Sequence, residues 1–169
     1  FSAVMSYAIV CGGNVSLPAM VLLTLGGFFV TGAANALNQV LERDYDRLMP
    51  RTANRPVATG RMSVSTAVLL AGLMALLGIS MLTMLNMLAG FLGTLSFISY
   101  AFVYTPMKRS TPLSVAVGAI PGALPLIIGC LAFEPNISPM AWMLFGLQFL
   151  WQFPHFWAVA WLADEDYKK

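Results

Sequence analysis

Asn38, Glu42 and Asp46 stand four residues apart, and on a helix that spacing stacks three oxygen-bearing side chains along one face. The i,i+4 carboxylates Glu42 and Asp46 repel each other unless a cation lies between or beside them. Hard oxygen donors of this kind suit Mg²⁺, which keeps several waters and bridges to phosphate groups. Asp44 points to another side of the same helix. Arg43, Arg47, Arg51 and Arg55 also recur every four residues, and a guanidinium fork grips phosphate oxygens through paired N–H donors. Acids that hold a divalent ion beside bases that hold phosphate make a site for a diphosphate headgroup. The plainer alternatives are anchoring of the arginines to anionic lipid, and solvent-facing caps and loop ion pairs for the acids.

Two further groups of charge lie elsewhere in the chain. Lys108 and Arg109 form a second set of donors, and Asp164, Glu165 and Asp166 form a second acidic cluster with Tyr167 beside it. Residues 1–41, 62–107, 110–133 and 140–163 carry no Asp, Glu, Lys or Arg. Each run is at least as long as the roughly 20 apolar residues of one membrane crossing, and 62–107 has room for two.

These runs divide into six helices. The first is the end of a helix over residues 1–11, closed by Gly12-Gly13-Asn14. The second begins at Ser16 to Pro18 and runs to about Leu41, with Asp46 as its outer limit. A polar connection over 47–63 holds Pro50, Pro56 and Gly60. Helices follow over about Val64–Leu85 and Leu88–Tyr104, separated at Asn86, and Pro106 is expected to end the latter. A fifth helix, about Leu113–Phe133, contains Pro121, Pro125 and Gly118-x-x-x-Gly122. The small residues permit close packing in lipid, while the prolines call for repair of the backbone by neighbouring groups and for a bend. A sixth runs from Met140 to about Ala163. Helices two to six are expected to surround one side of a cavity with the charged residues at its rim.

All nine basic residues fall in the connections after helices two, four and six, and the alternate connections carry none. Those three connections therefore share one face, cytoplasmic or its equivalent by the Lys/Arg bias of membrane proteins. Six of the seven acidic residues lie there too, with only Glu134 elsewhere. Orientation does not require the acids, so they need a different explanation.

Composition excludes other classes. Apolar residues make up 59% of the 169 and charged ones 9%, with mean hydropathy +0.77, against about a quarter charged in soluble domains. That rules out disorder and disfavours a water-soluble domain. A net charge of +2 gives no nucleic-acid footprint. Cys11 and Cys130 stand far apart in apolar surroundings and read as inert buried thiols. The first apolar run lacks a basic leader and is followed by further spans, so it does not read as a signal peptide.

The segment NQVLERDYDRLMPRTANRP over 38–56 closely resembles the first signature of the UbiA-type intramembrane prenyltransferases, specifically their heme-farnesylating branch. The matching positions are Asn38, Glu42, Asp46, Met49, Arg51, Thr52 and Arg55. Tyr104-Thr105-Pro106-Met107-Lys108-Arg109-Ser110-Thr111, with Gly118-Ala119, Gly122-Ala123 and Pro125, resembles a second conserved region. Gln152-Phe153-Pro154-His155-Phe156-Trp157 leading to Asp166-Tyr167 resembles the second signature. Glu42 stands where several relatives carry Asp, Met107 replaces a usual Leu, and Leu124 stands where Pro is common.

The resemblance implies an all-α polytopic transmembrane bundle of the UbiA type. Residues 1–169 would hold a single prenyltransferase domain, incomplete at both ends and running from the end of helix one to the loop after helix six. It implies transfer of farnesyl from farnesyl diphosphate to a vinyl group of heme b, with Mg²⁺ as cofactor. Asn38, Glu42, Asp46, Asp164 and Asp166 would bind metal, and Arg51, Arg55, Lys108 and Arg109 would bind diphosphate. Tyr104, His155 and Tyr167 would serve the heme side, although His155 reads equally as an interfacial histidine bonded to a neighbour. Trp142, Trp151, Trp157 and Trp161 read as cavity lining and interface anchors. The expected setting is a lipid bilayer, a bacterial cell membrane in preference to a mitochondrial inner membrane, with the site at the cytoplasmic or matrix face. Heme-pathway or terminal-oxidase assembly proteins are candidate partners. Two alternatives stand beside this reading: prenylation of a quinone precursor or other aromatic acceptor, and a transporter or lipid-binding protein with an interfacial cation site.

Overall fold

The computed structural model describes residues 1–108, 110–111 and 113–162, without the side chains of Ala160 and Leu162. Among the described residues every regular element is helical. The order is α1 (Ser2–Val10), α2 (Leu17–Leu41), α3 (Arg43–Asp46), α4 (Val64–Leu85), α5 (Met87–Ile98), a π-helical turn (Ser99–Tyr104), α6 (Thr105–Met107), α7 (Ser114–Leu131) and α8 (Pro139–Leu162). Leu17–Leu41, Val64–Leu85, Met87–Met107 and Ser114–Leu131 are long and apolar enough to cross a membrane. The 24 residues of α8 match them in length but include Gln148, Gln152, Pro154 and His155.

Local signals set the boundaries. Ser16 caps α2 by accepting from Ala19 N, and Pro18 occupies the first turn, where a missing N–H costs nothing. Ser63 caps α4 through Thr66 N at 3.1 Å. Asn86 ends α4 and caps α5 by accepting from Leu88 N at 2.8 Å, so one residue separates two spans. Gly12 and Gly13 take φ of +56° and +94° in the turn after α1, a region glycine enters without steric cost.

The chain does not stop at Pro106, contrary to expectation. In a regular α-helix its ring would strike the carbonyl four residues back. Here the π-turn widens the helix, Thr105 N–H donates to Tyr100 O five residues back, and the helix continues to Met107. One proline of α7 receives the repair the sequence calls for: Pro125 cannot donate to Pro121 O, and Ser96 Oγ from α5 donates to that oxygen at 3.2 Å. The Gly118-x-x-x-Gly122 step also works as expected. A Cβ at Gly118 would lie 2.6 Å from the Tyr104 ring, and one at Gly122 would strike the Gln152 amide.

The buried face of α4 is a row of small residues, Ala67, Ala71, Ala75 and Gly78, packed along α2. Such residues let helices approach closely where lipid offers no hydrophobic drive for association. The ends of the bundle differ. At one, Asn86 Nδ2 donates to Pro135 O at 3.2 Å and Tyr7 OH accepts from Ser16 N at 2.8 Å, joining the turns that lack basic residues. At the other, Lys108 at the end of α6 reaches Glu42 and Arg55 of the 47–63 connection reaches Asp46.

Candidate active site

The acidic column forms. Although Glu42 breaks the helix with φ −105° and ψ 8°, Glu42 N donates to Asn38 O at 2.9 Å and Asp46 N to Glu42 O at 2.8 Å. The four-residue rise therefore carries through the break. Asn38, Glu42 and Asp46 are 7%, 8% and 4% exposed, and buried carboxylates persist only when paired or coordinated.

Each carboxylate faces a base from a different connection. Lys108 Nζ donates directly to Glu42 Oε2, joining α6 to α2. Arg55 Nη1 lies 2.9 Å from both Asp46 oxygens. The 47–63 connection is folded back to bring Arg55 there. Thr52 Oγ1 donates to Asp46 O at 3.2 Å, Arg47 Nε donates to Ala58 O at 2.8 Å, and Val57 and Ala58 are buried. At the head of the column Thr105, 1% exposed, lies with Oγ1 3.1 Å from Asn38 Oδ1 and 2.9 Å from Tyr100 O.

The four arginines do not form one stripe, because α3 ends at Asp46 and the chain turns. Arg55 alone of the four reaches the column. Arg47 makes an exposed pair with Asp44 at 3.7 Å, Arg51 is exposed, and Arg43 keeps a buried Nε without a hydrogen-bond acceptor. Tyr104 packs against Tyr100 at 5.4 Å and Phe156 at 6.4 Å, with Lys108 Nζ 5.9 Å above its ring. The exposed His155 ring stacks on Trp151 at 4.8 Å. Arg109, Asp164, Asp166 and Tyr167 lie outside the described residues.

Sequence reasoning named Thr52 and Thr105 only as parts of motifs. A lone hydroxyl in front of a proline at the end of an apolar run was the available signal for Thr105. Among the described residues no three of His, Cys, Asp and Glu converge on a metal position. The donors present are two carboxylates and an amide oxygen one turn apart. That incomplete all-oxygen set fits Mg²⁺, which retains waters and takes substrate phosphates as ligands, better than a metal needing a closed protein cage.

Behind the column lies a cavity of about 470 Å³, lined mostly by apolar side chains and reached by Asn35, one turn from Asn38. It follows α2 from Asn35 back to Leu23, about 18 Å at 1.5 Å per residue. Its walls come from α1, α2, α4, α5 and α7. Helices two to five contribute to it as expected; helix six does not, and α1 does. α8 packs on the far side of α7, where Gln152 Nε2 donates to Ala119 O at 3.0 Å, and α1 takes the inner position through its contact with α7.

A bundle of membrane-length helices with paired acids and bases at one end and an apolar hollow along α2 has the architecture of an integral membrane protein. An apo structure of a UbiA homologue from Aeropyrum pernix K1 shares this fold, with TM-score 0.71, 24% identity, and coverage of 89% of this chain and 58% of that one. The profile of the UbiA prenyltransferase family matches residues 1–169, and the chain belongs to that family. It is 47% identical over 150 residues to a protoheme IX farnesyltransferase of Flavobacterium psychrophilum, covering 89% of this chain and 50% of that protein. It is 44% identical over 169 residues to one from Christiangramia forsetii, covering 100% and 56%. A mitochondrial protoheme IX farnesyltransferase of Debaryomyces hansenii is 42% identical, covering 99% and 36%. The chain thus spans about half the length of the bacterial relatives it matches.

Proposed function

We propose that the full-length protein transfers a farnesyl group from farnesyl diphosphate to a vinyl group of heme b, giving heme O and diphosphate. The observation that carries this reading is the buried column of Asn38, Glu42 and Asp46 faced by Lys108 and Arg55, with an apolar cavity along the same helix that comes within one turn of Asn38 at Asn35. The names of the relatives support the acceptor.

In this reading Asn38, Glu42 and Asp46 hold Mg²⁺, and Asp164 and Asp166 supply a second position. When bound, the ion polarises the bond to the departing diphosphate and offsets its charge. Lys108 and Arg55 exchange their carboxylate partners for phosphate oxygens, so the bases meet the leaving group as its charge develops. Arg51 and Arg109 add donors at the rim. The C1–O bond of farnesyl diphosphate breaks with its electron pair going to diphosphate, the vinyl carbon of heme b bonds to C1, and water adds to the resulting cation with loss of a proton. The cavity holds the farnesyl chain and keeps bulk water from the allylic carbon. Tyr104, His155 and Tyr167 stand on the heme side.

Residues 1–169 form part of one domain that the remaining length of the protein completes. Its charged end faces the cytoplasm of a bacterial cell, where heme-pathway and oxidase-assembly proteins would be its partners. The test offers heme b and an aromatic quinone precursor together to the full-length protein in nanodiscs, with Mg²⁺ and farnesyl diphosphate, and reads product masses. Farnesylated heme alone is the expected result. A prenylated aromatic product without modified heme would replace this acceptor with the other.

A further inference from the structure

The π-turn over Ser99–Tyr104 inserts an extra residue into an otherwise continuous span. Such turns re-aim every side chain that follows by about a third of a circle and recur at functional positions. Here the residues re-aimed are Thr105, which meets α2, and Lys108, which meets Glu42. Thr105 is the more buried of the two, and its hydroxyl is the group that links the turn to Asn38. We propose that Thr105 is a positioning residue that fixes the amide of Asn38 as an oxygen donor in the acidic column.

A threonine hydroxyl has one proton and accepts through its lone pairs. Thr105 Oγ1 has two acceptors in reach, Asn38 Oδ1 at 3.1 Å and Tyr100 O at 2.9 Å. Tyr100 O already takes the Thr105 N–H across the wide turn, so it is satisfied whether or not the hydroxyl points to it. The hydroxyl is therefore available to hold Asn38 Oδ1 while the column is paired with Lys108 and Arg55. Asn38 Oδ1 has a second lone pair for another partner while the hydroxyl holds it, so the amide keeps its aim with and without that partner and Tyr100 O stays satisfied by the Thr105 N–H. A regular α-helix would also offer the hydroxyl a carbonyl four residues back, as at Thr24 and Thr83, but would not give this aim toward Asn38.

The inference rests on the proposed function, which makes Asn38 a donor toward a metal–diphosphate headgroup. The probe is inorganic pyrophosphate with Mg²⁺, titrated calorimetrically into the full-length protein in nanodiscs. Thr105→Val should weaken its binding about tenfold, or about 1.4 kcal/mol, while Thr105→Ser, which keeps the hydroxyl, should stay within about twofold. In an Asn38→Ala background Thr105→Val should add less than about twofold, because a residue acting through Asn38 has nothing left to position. Should valine prevent folding, Thr105→Ala goes through the same cycle. The proposal is overturned by wild-type affinity in the hydroxyl-free variant, by an equal loss in Thr105→Ser, or by a loss that persists undiminished without Asn38. Absence of Mg²⁺-dependent pyrophosphate binding in the wild type would remove the functional reading itself. Wild-type binding with an unaffected Thr105→Val would remove this inference alone.

Discussion

Replacing Arg55 by lysine separates the contact it makes with Asp46 from the diphosphate contact proposed for the same side chain. Arg55 touches Asp46 through Nη1 alone, 2.9 Å from both oxygens. A lysine ammonium, also a point donor, can keep that contact, and stability should change by less than about 1 kcal/mol. The guanidinium's remaining N–H groups are what lysine cannot replace. If one of them reaches the departing diphosphate, its loss removes a hydrogen bond to a charged group. That is about 1.5–3 kcal/mol, or about ten- to 150-fold in rate. Arg55→Met serves as the contrast. It leaves Asp46 buried without its base, a change of about 3–5 kcal/mol for a fully buried pair. With the arginine side chain 32% exposed, solvent screening reduces this to about 2 kcal/mol. The assay is single-turnover transfer in lipid-matched nanodiscs, beside thermal unfolding and titration of a non-hydrolysable farnesyl diphosphate analogue. Lysine should slow the chemical step more than it weakens ground-state binding. Turnover within twofold of wild type, or recovery of the rate on adding anionic lipid, would refute the reasoning and make Arg55 a structural or surface residue.

Further outcomes follow from the same geometry. Glu42→Gln and Asp46→Asn should each lower transfer at least about tenfold and raise the Mg²⁺ concentration needed for half-maximal activity, because each loses an anionic oxygen from the column; wild-type turnover at limiting Mg²⁺ would return both to a structural role. Gly27 lines the cavity and a Cβ there meets nothing within 4 Å, so Gly27→Leu should enter the hollow without displacing a helix. It lies eleven residues from Asn38, about 16 Å along α2, near the end of a farnesyl chain. The ratio of geranyl to farnesyl use should therefore rise by about tenfold or more, and an unchanged ratio would place the chain elsewhere. Cysteines at Arg61 and Ser110 should label from one side of sealed vesicles and a cysteine at Pro135 from the other. Labelling of Arg61 and Ser110 positions from opposite sides would contradict the arrangement of the bundle.

The spans were legible because bilayer length and charge exclusion are written directly into composition: α4 occupies Val64–Leu85 as read, and Asn86 separates it from α5. The acidic column was legible because a four-residue spacing stays helical through the break at Glu42. The same spacing misled for the arginines. Only Arg43 lies within α3; Arg47, Arg51 and Arg55 follow its end, where period no longer means face. Pro106 read as a stop because a proline excludes the α-helical register, but a π-turn satisfies it without ending the span. The pairing of Glu42 with Lys108 joins residues 66 apart in sequence. No local pattern encodes it, nor the placement of α1 rather than α8 beside the cavity. His155 was ambiguous as a lone imidazole; its stacking on Trp151 is an i,i+4 contact on the exposed face of α8 that the four-residue spacing allows.

The central claim is that the column at the charged end of the bundle drives farnesyl transfer to heme. Its most direct test is the mass of heme b recovered from the full-length protein after incubation with Mg²⁺ and farnesyl diphosphate, wild type beside Asp46→Asn. Heme heavier by one farnesyl and one hydroxyl group from the wild type, and unmodified heme from folded Asp46→Asn, is the expected result. Unmodified heme from active-folded wild type, or equal modification by both proteins, would contradict it.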